Sequence, residues 1–282
     1  MPARAMPTAR QRRLGTEVRK MRERAGMTVG QGAEILGVGR TLISNSEAGR
    51  IGLSPERVRT FAEIYECRDT RYVDALADMA GERGSGWWEE YRGKLRAGAL
   101  DLAELEHHAV GIRAVQIMHV AGLLQTEAYA RAVMLTAVPD LEPAQLRRRL
   151  SYRMRRRDVL DRENPPECTF ILHEAALRME FGGRQVLRDQ LEHLLEESER
   201  PNVVVRVVPF AAGGIPATGL AMQYVKGPVP RLDTVQLGLV EPSMLDAESV
   251  LAKHRDALDK TEAQSLEPVP TRDYVRSVVR DL

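Results

Sequence analysis

The sequence predicts a mainly α-helical protein of two domains, a bundle of five short helices followed by an α+β domain. Three observations support this prediction. Apolar residues recur at helical spacing up to about residue 80, the glycine-rich segment GERGSG follows at 81–86, and β-branched runs typical of strands begin only at about residue 167. A length of 282 residues suits two modest domains.

Charge is unevenly distributed along the chain. Residues 1–80 contain 14 Arg or Lys against 10 Asp or Glu, although the net charge of the whole chain is only +1. This balance excludes a uniformly basic, histone-like protein, and the local excess favours nucleic acid as a partner of the first domain. Residues 1–13 hold four arginines and few large apolar side chains, so we expect a flexible basic arm there.

The first domain is predicted to span residues 14–80. Glycines and capping residues punctuate its apolar pattern: Gly26 ends the first helix, Thr28 caps the second, and Ser54 with Pro55 begins the fourth. The five helices are predicted at about 14–25, 28–36, 40–48, 54–65 and 70–80.

The segment AEILGVGRTLISNSEAG (33–49) has the spacing of a helix-turn-helix. Such a unit needs a small residue where its helices cross, a glycine with positive φ in the turn, and an apolar residue that anchors the second helix. Ala33, Gly37 and Ile43 meet these requirements. Leu36 and Val38 complete the predicted core.

The second helix of this unit presents polar side chains at its N-terminal half, the part that enters the major groove. Four residues are candidates for reading bases: Arg40, Thr41, Ser44 and Asn45. Arginine suits guanine and asparagine suits adenine, while the hydroxyls suit either a base or a phosphate. Three further residues are candidates for phosphate contacts, Thr28 and Gln31 at a helix N-terminus and Arg50 beyond the second helix.

Residues 14–80 resemble the five-helix domain of Xre/Cro/lambda-repressor-type regulators. The residues that carry the resemblance are Thr28, Ala33, Leu36-Gly37-Val38, Arg40, Ile43-Ser44, Glu47 and Gly49. The remainder resembles the antitoxin-like C-terminal domain, of unknown function, in an actinobacterial group of such regulators. Its motifs are GWWEEYR (86–92), LAELEHHAVGIR (102–113) and VAGLLQTEAYARAVM (120–134). The resemblance implies a lambda-repressor-like fold, DNA binding and a small partner protein encoded nearby.

Three residues depart from the resembled pattern. Gly39 stands at a helix N-cap, where it costs a few tenths of a kcal/mol. Gly32 lies inside a helix, at a cost of about 1 kcal/mol. Ser46 replaces an apolar residue and loses about 1.5–3 kcal/mol of burial unless its hydroxyl bonds a carbonyl one turn back. We therefore expect a softer core with the base-reading surface intact.

The second domain is predicted to span residues 87–282. Four segments are expected to form strands: 167–174, 202–210, 219–227 and 233–241. The links between the later strands are too short for parallel crossovers, which favours a roughly four-stranded, mostly antiparallel sheet. The segment 100–112 is expected to be helical, as are 243–264 and 271–279.

Two features of this domain leave alternatives open. Trp87, Trp88 and Tyr91 suit core packing or an aromatic wall facing a ligand. RRRLSYRMRRR (147–157) predicts an amphipathic helix with a basic face, which is either solvated or binds an acidic partner or DNA. The residues of this helix assigned to a partner or ligand surface are Arg147, Arg148, Arg155 and Arg156.

No motif predicts an enzyme. The histidines lack metal-ligand spacing, Cys67 and Cys168 form no CxxC pair, and glycine-rich AAGGIPATG (211–219) lacks a phosphate-binding pattern. We therefore predict no catalytic residue, metal or cofactor. The absence of a signal or membrane segment predicts a cytoplasmic protein, associated with the nucleoid when bound to DNA.

The sequence thus predicts a transcriptional regulator that binds an inverted-repeat operator as a homodimer. Its second domain would supply dimerisation and a site for a protein partner or ligand. The alternative is an antitoxin-like interaction protein that neutralises a small partner and binds DNA for autoregulation.

Overall fold

The computed structural model describes residues 7–82, 86–216, 221–238 and 243–282. They form two compact units that divide between Leu105 and Glu106. The sequence placed the boundary earlier, at 81–86, of which 83–85 lie outside the described residues. The first unit extends further because Asp101 accepts a hydrogen bond from the Ala9 backbone at 2.8 Å and pairs with Arg12 at 3.0 Å.

Within residues 7–82 the chain forms five helices, as predicted. They are α1 (Ala9–Arg24), α2 (Val29–Ile35), α3 (Arg40–Glu47), α4 (Pro55–Ile64) and α5 (Thr70–Gly81). Their core contains the fully buried side chains of Val18, Ile43, Val58, Phe61, Tyr72 and Leu76. Burial of these apolar side chains is the main stabilising term of the unit.

The first helix begins at Ala9, five residues before the predicted start. The hydroxyl of Thr8 accepts from the backbone of Gln11, and the Gln11 side chain accepts from the backbone of Thr8, which is a capping box. The predicted basic arm is therefore helical from residue 9, and residues 1–6 lie outside the described part of the chain.

The second unit contains a mixed sheet of six strands in its described residues, where the sequence predicted about four. The order is β3-β2-β1-β4-β5-β6, and the bounds are β1 (Gly111–Gln116), β2 (Glu167–His173), β3 (Val203–Val208), β4 (Met222–Lys226), β5 (Thr234–Leu237) and β6 (Ser243–Leu245). The pairs β1–β2 and β2–β3 are parallel, whereas β1–β4, β4–β5 and β5–β6 are antiparallel. The antiparallel prediction thus holds for the later half of the sheet.

Strands β2 to β5 correspond to the four predicted ones, although the predicted positions 219–220 and 239–241 lie outside the described residues. Strands β1 and β6 were not predicted: the expected helices include the first two residues of β1 and all of β6. The helix expected over 100–112 ends at His107, and that expected from 243 begins at Glu248.

Helices surround this sheet. They are α6 (Ala97–His107), which begins in the first unit, α7 (Glu127–Met134), α8 (Pro143–Arg156), α9 (Glu174–Arg178), α10 (Arg184–Glu197), α11 (Glu248–Gln264) and α12 (Pro268–Asp281). Leu251 and Leu258 of α11 pack on Val115, Ile171 and Val235 of one sheet face. No helix in the described ranges is both long and apolar enough to cross a bilayer.

Candidate nucleic-acid interface

The segment α2–turn–α3 has the geometry of a helix-turn-helix. Gly37 has φ +63°, a conformation that a β-carbon would strain. Ala33 is buried where the two helices meet, and Ile43 of α3 is fully buried. Leu36 and Val38 are only half-buried, so Ile43 is the main anchor of α3.

The anchored helix exposes the side chains of Arg40, Thr41 and Ser44, and Asn45 is half-buried. Thr41 and Ser44, two positions before Ile43 and one after it, point away from its buried face, since successive residues are about 100° apart on a helix. Arg40 is nearer to that face but is the first residue of α3, and its side chain is exposed. The predicted base readers therefore lie on the accessible side of α3, with Asn45 at its edge.

Arg40 lies against the start of α2. A β-carbon built on Gly30 would lie 3.3 Å from both Nε and Nη2 of Arg40. This distance is shorter than most van der Waals contacts, so the guanidinium rests where Gly30 has no side chain. The sequence did not predict this contact, because a glycine in a helix does not indicate which side chain packs against it.

Two of the predicted phosphate ligands make a capping box at the start of α2. Thr28 Oγ1 accepts from the Gln31 backbone at 3.2 Å, and Gln31 Oε1 accepts from the Thr28 backbone at 2.9 Å. Both side chains are exposed, as is Arg50 beyond α3. Thr28 and Gln31 thus have a structural role that the sequence analysis did not assign.

A buried ion pair holds the end of α3 against α1. Glu47 accepts from Arg22, which also donates from Nη1 to the Met27 carbonyl at 2.6 Å. The Glu47 hydrogen bond, opposed by burial, raises the pKa of Arg22 above its ordinary value. Arg22 was not predicted, although it follows Val18 by one helical turn and therefore shares its buried face.

The glycine departures have separate explanations. Gly39 is the N-cap of α3 and makes no side-chain hydrogen bond there. Gly32 lies beside Tyr65, and a β-carbon at Gly32 would lie 3.0 Å from the Tyr65 hydroxyl. Burial raises the pKa of Tyr65 to about 12. The large apolar side chain typical of the resembled family does not fit at position 32 while Tyr65 occupies this space.

Ser46 is buried at 1% exposure, and its Oγ has no hydrogen-bond partner. The compensating bond to a carbonyl one turn back, which the sequence left open, is not formed. Close to it, a β-carbon at Gly15 would lie 2.5 Å from the carbonyl oxygens of Ser46 and Glu47. The backbones of α1 and α3 therefore approach closely beside an unsatisfied hydroxyl.

Two family models match the chain. Residues 13–76 match a helix-turn-helix domain, and residues 99–277 match a domain of unknown function, DUF5753. The second match covers more than half of the chain.

The chain belongs to the DUF5753 family. No curated protein and no solved structure matched it. The helix-turn-helix match confirms the domain type predicted for the N-terminal part, a type that binds DNA.

In this DUF5753 protein the motif GLLQTEAYARA has a structural role. Gln125 and Gln190 are fully buried. Gln125 Nε2 donates to the Val120 carbonyl at 2.7 Å, and Gln190 donates to the Leu124 carbonyl and accepts from the Thr126 backbone, both at 2.8 Å. The two amides thus satisfy the buried backbone of the turn before α7.

The residues predicted to form a partner or ligand surface differ in their exposure to solvent. Trp88 and Tyr91 are buried, so they do not form an open aromatic wall. Trp88 packs against Gly86. Trp87 is half-buried and contacts the rings of Trp88 and Tyr91 edge-on. Arg156 is also buried, on Glu106.

The remaining predicted arginines differ in exposure, because α8 packs its Leu146 and Leu150 side inwards. Arg147 is exposed, whereas Arg148 and Arg155 are half-buried. Arg147 therefore presents the most accessible charge of the four predicted arginines.

The DUF5753 sheet also borders an open, charged cavity of about 560 Å³. Arg113 pairs there with Asp259 at 2.8 Å and Glu262 at 2.7 Å, and Arg206 pairs with Glu267 at 2.6 Å. These charges largely compensate one another. Among the described residues no group of three acidic, Cys or His side chains is placed to hold a metal ion.

Proposed function

We propose that this protein is an Xre-type, sequence-specific transcriptional regulator that binds an inverted-repeat operator as a homodimer. The observation that supports the proposal is the exposure of Arg40, Thr41 and Ser44 on a helix whose Ile43 is fully buried. A helix of this kind fits the major groove, where its N-terminal side chains reach the base edges.

The proposed roles follow from hydrogen-bonding chemistry. Arg40 donates to O6 and N7 of guanine, and Asn45 bonds N6 and N7 of adenine. Thr41 and Ser44 bond a base edge or a phosphate. Thr28, Gln31 and Arg50 bond phosphates and so position α3 without reading sequence.

The proposal gives the second unit a regulatory, non-enzymatic role in the cytoplasm. It would supply the dimer contact and receive a protein partner or a ligand. In this proposal a partner acts on the regulator, which distinguishes it from an antitoxin-like protein that neutralises its partner. A homodimer matches the two-fold symmetry of an inverted repeat.

Binding to DNA from the protein's own upstream region tests the proposal. Fluorescence anisotropy at two salt concentrations should show affinity that falls steeply with salt, with preference over a scrambled duplex. Arg40→Ala should reduce that preference by roughly 5- to 150-fold, the equivalent of about 1–3 kcal/mol.

Arg71→Ala is the matched control, because Arg71 is also an exposed arginine of the same unit but lies on α5. It should leave the preference unchanged. Equal binding of both duplexes by the unaltered protein contradicts base reading, and a monomer by light scattering on the operator contradicts the homodimer.

A further inference from the structure

Arg153 of α8 is a half-buried arginine without a carboxylate partner among the described residues. Its Nη1 donates to Oε1 of Gln125 at 2.7 Å. Gln125 is fully buried, and its amide is neutral. The hydrogen bond therefore orients the guanidinium but does not neutralise its positive charge.

The carboxylate that acts on Arg153 electrostatically is already engaged. Glu106 accepts from Nε and Nη2 of Arg156 at 2.8 and 2.6 Å, and from Gln223 Nε2 at 2.9 Å. Two arginines thus share one carboxylate, and the cluster has a net charge of +1. Burial, reinforced by the charge of Arg156, lowers the pKa of Arg153 to about 10. Arg153 nevertheless remains protonated at neutral pH.

Arg153 is partly exposed and packs on one side against Gly122. A β-carbon on Gly122 would lie 3.0 Å from Nη1, so Arg153 rests on the backbone of Gly122. Arg153 as a whole is half-buried, so part of its side chain is in contact with solvent. Burial lowers the pKa of nearby His119, and the charge of Arg153 lowers it further.

We propose that Arg153, beside Gly122, binds a small oxyanion, the carboxylate or phosphate group of a metabolite. The planar guanidinium fork is suited to two-point binding of either group. A partly buried arginine that shares its carboxylate with a second arginine is costly, and an anion from solution reduces that cost. The proposal does not depend on DNA binding.

Thermal unfolding of the full chain without DNA tests the proposal. Sodium phosphate and sodium acetate are compared with sodium chloride at equal ionic strength. We expect phosphate or acetate, but not chloride, to raise Tm saturably by about 2–4 °C at several times its Kd. A larger effect of phosphate identifies a phosphate site, and a larger effect of acetate identifies a carboxylate site.

Arg153→Gln should abolish the response. Arg147→Gln makes the same charge change at an exposed residue of the same helix and should preserve it. A rise in Tm that is equal with chloride overturns the proposal, because it indicates ionic screening. A rise in Tm that Arg153→Gln retains also overturns it, because it indicates an adventitious ion only. Equal loss in both variants also overturns it.

A measurement on the unaltered protein covers the case in which Arg153→Gln does not fold. The arginine Nε–H resonances are followed by NMR during phosphate and acetate titrations, with Arg153 assigned through Arg153→Lys. A saturable shift of the Arg153 resonance supports the site, and a shift that is linear in salt overturns it. Either result leaves the proposed operator binding untouched.

Discussion

Arg22 and Glu47 form a two-point ion pair between α1 and the last turn of α3, with Nε–Oε1 at 2.6 Å and Nη2–Oε2 at 2.9 Å. Each side chain is 7% exposed. Since Arg22 also donates to the carbonyl of Met27, one side chain joins α1, the loop before α2 and α3. The orientation of the candidate recognition helix therefore depends on a residue outside the helix-turn-helix.

Arg22→Met should destabilise the first unit by about 3–5 kcal/mol, because it leaves the Glu47 carboxylate buried and unpaired. Urea unfolding measures the loss. The double variant Arg22→Met with Glu47→Gln removes that charge and should lose less than Arg22→Met alone. An equal loss in the two variants would show that burial of the Glu47 charge is not the cause.

Ser46→Ala should stabilise the protein by about 1 kcal/mol, since it removes a buried hydroxyl that has no partner. The matched control is Ser44→Ala, two residues away on the same helix but exposed, for which we expect a change within about 0.5 kcal/mol. Denaturant midpoints compare the two variants. Destabilisation by Ser46→Ala would indicate that the hydroxyl is satisfied in solution.

Gly30→Ala should have opposite effects on stability and on operator binding. Alanine favours the helix by up to about 1 kcal/mol over glycine, so Tm should rise. The new β-carbon displaces the Arg40 guanidinium, so the preference for the operator should fall. In a protein that already carries Arg40→Ala, Gly30→Ala should cause no further loss of preference for the operator. Additive losses in the double variant would contradict the idea that Gly30→Ala acts through Arg40.

The two cysteines should differ in reactivity. Burial raises the pKa of the Cys168 thiol to about 12, and Cys168 is 2% exposed, whereas Cys67 is half-buried. Ellman's reagent at pH 8 should therefore modify one thiol in the native protein and two after denaturation, because the thiolate is the nucleophile. Cys67→Ser should remove the native reaction, and rapid modification of that variant would contradict the assignment.

The helix-turn-helix was predictable because three residue types at fixed spacing determine it. Ala33, Gly37 and Ile43 each meet a steric requirement that few other residues meet. The start of α1 could also have been predicted, because Thr8 and Gln11 have the spacing of a capping box. The arginine-rich composition of this segment instead led to the prediction of a flexible arm. Local capping chemistry was the better guide.

The sheet was less predictable because two strands lack the pattern that identifies a strand. Strand β1 lies between β2 and β4, and five of its six residues are buried, so polar and apolar residues do not alternate. It also follows a helix closely. Strand β6 has only three residues, at the lower limit of strand length.

The hydrogen-bond partners of the arginines in the segment 147–157 could not be predicted from the residues of that segment. Arg153 and Arg156 are one turn apart, yet one orients on an amide and the other pairs with a carboxylate. That carboxylate, Glu106, lies on another helix, α6. Helical periodicity identifies a basic face but contains no information on distant partners.

The position of β1 has a consequence for synthesis of the chain on the ribosome. Gly111 pairs with Glu167 on one side and with Lys226 on the other, so the parallel and antiparallel halves of the sheet meet only at this strand. The edge of β1 that pairs with β4 stays unpaired until β4 has been synthesised, about 110 residues later. Pairing then requires closure of a loop of that length. A nascent chain that has emerged only as far as β3 would therefore expose the unpaired edge of its central strand, which makes this stage of synthesis the one most prone to aggregation.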